Sequence, residues 1–116
     1  ALAELADAFN NGAFVAGPRI HAWHDLAFAR INIVLRREAG GASEETAHGS
    51  GAAILEGDPF GTVVMLANAL PAGTPGLVAG TIVTTGSCTG APPLAGPGTY
   101  RAEFGMLGKV VFRVVD

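Results

Sequence analysis

The 116-residue chain is poor in cysteine, aromatics and charge: one Cys, one Trp, one Tyr, and seven Lys and Arg against ten Asp and Glu. Cys88 stands alone, so no internal disulfide can form and packing must hold the fold. A formal net charge of -3 gives no broad attraction to phosphate backbones or anionic membranes, which sets nucleic acid and membrane partners aside. No apolar run approaches the roughly 18 residues of a membrane span and no signal-peptide pattern is present, so a reducing, cytoplasmic setting is expected. Neither GxGxxG nor a P-loop occurs, which leaves nucleotide binding without a motif. The sequence has no initiator Met and its first residues read as mid-helix, which predicts an absent natural N-terminal portion.

What is present suits one globular domain over 1–116: 49% of residues are hydrophobic, and a chain this long can bury roughly two-thirds of its unfolded surface. The expected class is α+β, mostly β, with two short helices. In ALAELADAF, Leu2, Leu5 and Phe9 recur at helical spacing, and NNG at 10–12 ends that helix. AFVAG at 13–17 reads as a short strand. Over 26–38, Ala29, Ile31, Ile33 and Leu35 alternate with polar or larger residues, which predicts a strand with one buried face. AGGAS then turns the chain, and ETAHGSG returns as its hairpin partner. Asp58 before Pro59 has the pattern of an N-cap opening a helix over 59–70. TIVTT at 81–85 predicts a strand, and TYRAEF and KVVFRVVD two more around GMLG.

Candidate chemistry is sparse. His21 and His24 in HAWHD form a His-x-x-His pair, but no third ligand stands at a metal-like spacing, so the pair reads as structural. His48 is a lone loop histidine. Cys88 has no adjacent base that would activate it and reads as a small packed thiol. The carboxylates are scattered, and no two form a general acid and base set. The remaining cluster is Thr84–Thr85–Gly86–Ser87, where hydroxyls and unshielded peptide N–H groups suit a carboxylate or an oxo group. A tight β-turn fits the same residues equally well.

Four stretches in register carry a resemblance: LADAFNNGAFVAGP (5–18), GSGAAILEGDPFGTVVMLANAL (49–70), LVAGTIVTTGSCTG (77–90) and GPGTYRAEFGMLGKVVFRV (96–114). Together they resemble the 2-keto-4-pentenoate hydratase and 2-oxo-acid decarboxylase branch of the fumarylacetoacetate hydrolase superfamily, over nearly the whole chain. The resemblance implies a mixed β-roll and the C-terminal part of that fold. It implies a lyase acting on a short unsaturated 2-oxo acid of the 2-hydroxypentadienoate type, and assembly into homo-oligomers. Family members bind Mg²⁺ or Mn²⁺ through a Glu-x-Glu pair and another acidic residue. This chain has no Glu-x-Glu, since Glu44 and Glu45 are adjacent, so its metal ligands are expected to lie outside it.

By the same resemblance, Thr85 and Gly86 match the Thr-Gly that lines the substrate carboxylate, which Thr85 and the Gly86 and Ser87 amides are expected to bind, and Asn10 and Asn11 fall where polar residues face the pocket and orient an enol or water. The family's Asp-Asn-Ala-Ser is replaced here by DAFNN. Thr81 and Thr99 stand where Asp is expected after a Gly, which predicts weaker local turns. The rival expectation is a non-catalytic, self-associating domain. A weaker one is a thiol-dependent enzyme using Cys88.

Overall fold

A computed structural model describes residues 13–116; the predicted helix at 1–9, with Asn10 and Asn11, lies outside the described residues. Four strands form one antiparallel sheet: β1 (Asn32–Ala39), β2 (Ala42–Ser50), β3 (Gly98–Glu103) and β4 (Lys109–Val114), in the order β2-β1-β3-β4. A single α-helix among the described residues, α1 (Pro59–Ala69), follows β2 through two short 3₁₀ turns. The predicted α+β, mostly β class holds. Every strand pair is antiparallel, where the resemblance implied a mixed sheet.

Local chemistry explains the hairpins. Ala39 pairs with Ala42, leaving Gly40 and Gly41 as a two-residue loop at φ 58° and 81°, the doubly positive turn that only glycine enters freely and that matches strand twist. The second hairpin closes through a 3₁₀ turn at Gly105–Leu107, with the Phe104 amide donating to the Gly108 carbonyl at 2.8 Å. At α1, Asp58 accepts from the Phe60 amide at 2.9 Å while Pro59 occupies the first turn, the cap the sequence predicts.

Alternation divides the sheet into two unlike faces. Ile33 and Tyr100 are buried on the inner face, and the Tyr100 ring stacks on Phe112 at 5.2 Å with its hydroxyl donating to the Gly96 carbonyl at 2.9 Å. The outer face is ionic. Arg36 stands opposite Arg101, a repulsive register that Glu45 and Glu38 relieve at 3.4 Å and 3.2 Å respectively. A bulge between Leu35 and Arg36 kinks the β1–β2 ladder between the apolar and charged halves of β1.

Two predicted strands are corrected. Residues 13–17 are unpaired, passing over β4 so that Gly17 faces the Val110 side chain. Residues 81–85 form no strand either. β-branched residues supply propensity but not a partner, and this segment pairs with neither sheet edge. The start of the long predicted strand is also shorter than expected, because Phe28–Arg30 forms a 3₁₀ turn before β1 begins.

The core is thin: among the described residues the buried apolar side chains are Ile31, Ile33 and Tyr100. Helix α1 has no buried residue, and Val64 and Met65 are more than half exposed. Among the described residues no helix is long and apolar enough to cross a membrane.

Candidate functional site

The stretch after Thr85 crosses the inner face of the sheet. It comes so close to β2 that a Cβ on Gly49 would lie 1.8 Å from the Cys88 carbonyl oxygen. Glycine at 49 is what admits the crossing backbone. Between this segment and the sheet lies a concavity of about 730 Å³. Its floor is apolar, formed by Ile33 and Leu35 of β1, Ala102 of β3, and Phe104 just beyond it. Thr84, Gly86, Ser87 and Thr89 form a polar rim, and Cys88 and Ala91 complete the lining.

Of the substrate-site residues expected from sequence, Gly86 and Ser87 therefore meet in one place. Thr84 lines the concavity and Thr85 is not among its lining residues. Asn10 and Asn11 lie outside the described residues. The floor was not foreseen as part of a site, because Ile33, Leu35 and Ala102 alternate as ordinary core.

The rim is prepared for an acceptor. Gly86 sits at φ 120°, a backbone conformation closed to most side chains. The Ser87 hydroxyl donates to the Gly90 carbonyl and accepts from the Thr89 amide. It thus shapes the turn and has no proton left for a ligand. The amides of Gly86, Ser87 and Cys88 form no backbone hydrogen bond among the described residues, which leaves them as the donors for a carboxylate or oxo oxygen. Turn and site, alternatives in the sequence, are compatible here.

Reactive groups are scarce. Burial pushes the Cys88 thiol above its ordinary value of 9.0, so at neutral pH it is protonated and a poor nucleophile. Among the described residues no Asp, Glu, His or Lys lines the concavity, so none of them supplies it with a general acid or base. Nor do the described residues fit the Mg²⁺ or Mn²⁺ that the resemblance implies, since no three His, Cys, Asp or Glu side chains among them could hold an ion together. His24 instead stacks on Trp23 at 3.6 Å, and Trp23 packs on Phe60 at 4.3 Å. His48 is largely exposed and pairs with Glu45 at 3.1 Å.

The loop's far end is fixed to the sheet. Arg37 donates through Nε and Nη2 to the Pro97 carbonyl at 3.2 Å and 2.7 Å, and through Nη1 to Glu44 at 3.1 Å. With the Tyr100–Gly96 bond beside it, this clasp anchors the end of the irregular stretch whose beginning forms the rim.

No family model matches the chain, and no solved structure matches it. Over 111 residues, 96% of its length, it is 30% identical to 4-oxalocrotonate decarboxylase of Pseudomonas putida. The chain spans 40% of the length of that relative.

Proposed function

We propose that the chain is the ligand-binding part of a decarboxylase- or hydratase-like lyase acting on a short unsaturated 2-oxo acid of the 2-hydroxypentadienoate type. The observation that carries this reading is the decarboxylase match, which covers 96% of the chain. The geometry is in keeping with it. Gly86, Ser87 and Cys88, whose amides make no backbone hydrogen bond among the described residues, line the same concavity as an apolar floor, an arrangement that suits an acid with a polar head and an unsaturated hydrocarbon end. In this reading the amides hold the carboxylate and oxo oxygens, the floor excludes water from the carbon chain, and Asn10 or Asn11 orients the enol or water. A divalent ion would take its ligands from polypeptide other than the described residues, so no step is assigned to it. A cytoplasmic setting, where Cys88 stays reduced, belongs to the same proposal.

Oxalate tests the reading, because it presents a carboxylate and an adjacent oxo-like oxygen in one small anion. Titrated into the ¹⁵N-labelled chain, it should shift the amide resonances of Gly86, Ser87 and Cys88 before any on the outer sheet face. Uniform or absent shifts across 84–89 would reject the assignment.

One observation favours a second reading, a self-associating domain. Helix α1 carries no charged residue and buries none, although an uncharged helix is normally enclosed. Sedimentation equilibrium should then give a dimer or larger species, and a strictly monomeric chain counts against it.

A further inference from the structure

A second, smaller concavity of about 260 Å³ adjoins the first on the inner sheet face. It is lined by Phe14, Val15, Pro18 and Ile20 of the segment crossing β4, by Val110, and by Phe104. Two facts make the cavities neighbours: Val110 pairs in register with Ala102 of the larger floor, and Phe104 lines both. Phe104 is half-buried at the end of β3, and its amide bond to the Gly108 carbonyl sets where its backbone leaves the sheet. Phe104 is therefore common to a polar-rimmed site on one side and an apolar recess on the other.

We infer that Phe104 is a specificity-determining residue: it limits the length of the hydrocarbon end that the site accepts and shuts a preformed recess into which a longer chain would otherwise extend. The inference rests on the ligand reading above and adds what that reading leaves open, the size of the far end. No charged side chain lines the larger cavity. The smaller has only Lys109 among its lining, the other lining residues being Gly or apolar. A hydrocarbon tail thus gains by burial along the whole path, at about fourfold in affinity per methylene, until a wall stops it. Deleting most of the Phe104 side chain would join the two spaces.

The test is a homologous series of straight-chain 2-oxo acids, from 2-oxobutanoate to 2-oxodecanoate, titrated calorimetrically into the wild-type chain and into Phe104→Ala. In the wild type, affinity should rise with the first carbons and then level or fall. In Phe104→Ala the rise should continue for several carbons more, so that the ratio between the proteins grows at least tenfold from the short to the long end. Phe104→Leu should give a smaller shift in the same direction, and it carries the test if Phe104→Ala does not fold. An unmoved length profile, with 2-oxobutanoate still bound, overturns the inference alone. Binding of no member of the series to the wild type overturns the ligand reading and the inference together.

Discussion

Gly49→Ala is the most exacting perturbation of this structure. The added methyl carbon would stand 1.8 Å from the Cys88 carbonyl oxygen, 2.8 Å from its carbon and 3.2 Å from the Thr89 Cα. A relaxed carbon–oxygen contact needs about 3.3 Å, so one backbone must move by about 1.5 Å. β2 can give little, because Gly49 pairs with Ile33, one of the most buried residues. The crossing segment must therefore lift, carrying the rim amides off the floor. Overpacking of this kind costs about 1–3 kcal/mol. At about 4–8 °C per kcal/mol for a domain of this size, a 2 kcal/mol loss lowers Tm by about 10 °C. Thermal unfolding by circular dichroism reads the loss, and the oxalate-induced shifts at Gly86 and Cys88 should shrink in the same variant. A Gly49→Ala protein with Tm within 2 °C of wild type and unchanged amide shifts would refute the close crossing.

Helix α1 allows a paired test with opposite signs: Gly61→Ala meets nothing closer than the Asp58 carboxylate at 3.4 Å and should stabilise by about 0.5–1 kcal/mol, whereas Asp58→Ala removes the cap and should cost about 1 kcal/mol. Equal Tm values for the two variants would reject the helix and its cap. Cys88 supplies a pH test: because burial raises its folded pKa above 9.0, alkylation by iodoacetamide should be slow at pH 7 and accelerate only above pH 9. The unfolded chain loses that proton first, so any Cys88 contribution to stability is complete at neutral pH and declines as pH rises through 9. Rapid alkylation of the folded chain at pH 7 would contradict the thiol's burial.

The readable parts of this fold are those governed by short-range rules. Ile31, Ile33 and Leu35 betray β1 by alternation, Gly40 and Gly41 its turn, and Asp58–Pro59 the start of α1. The illegible parts depend on partners distant in sequence. Thr81–Thr85 has the composition of a strand, yet whether it pairs is decided by which sheet edge it reaches, and it reaches none. The Ser87 hydroxyl looked like a ligand donor until its bonds to Gly90 and Thr89 were visible. The floor of the site was hidden for the opposite reason. Leu35 and Ala102 obey the core pattern so well that nothing in the local sequence marks them as lining a space. Thr81, standing where Asp is expected, takes part in its turn, with its hydroxyl accepting from the Val78 amide at 3.3 Å and its own amide donating to the Val78 carbonyl at 3.0 Å.

Among the described residues, the strand order β2-β1-β3-β4 leaves each outermost strand with one edge that no other strand pairs. An open sheet edge is a template on which further strands pair. Each end has its own brake on that pairing. At β2 the bulged register and the adjacent Glu44 and Glu45 distort the line an incoming strand must follow, and at β4 Lys109 and Arg113 place like charges where a copy of the same strand would align. The charges on this sheet thus oppose edge-to-edge growth from either end.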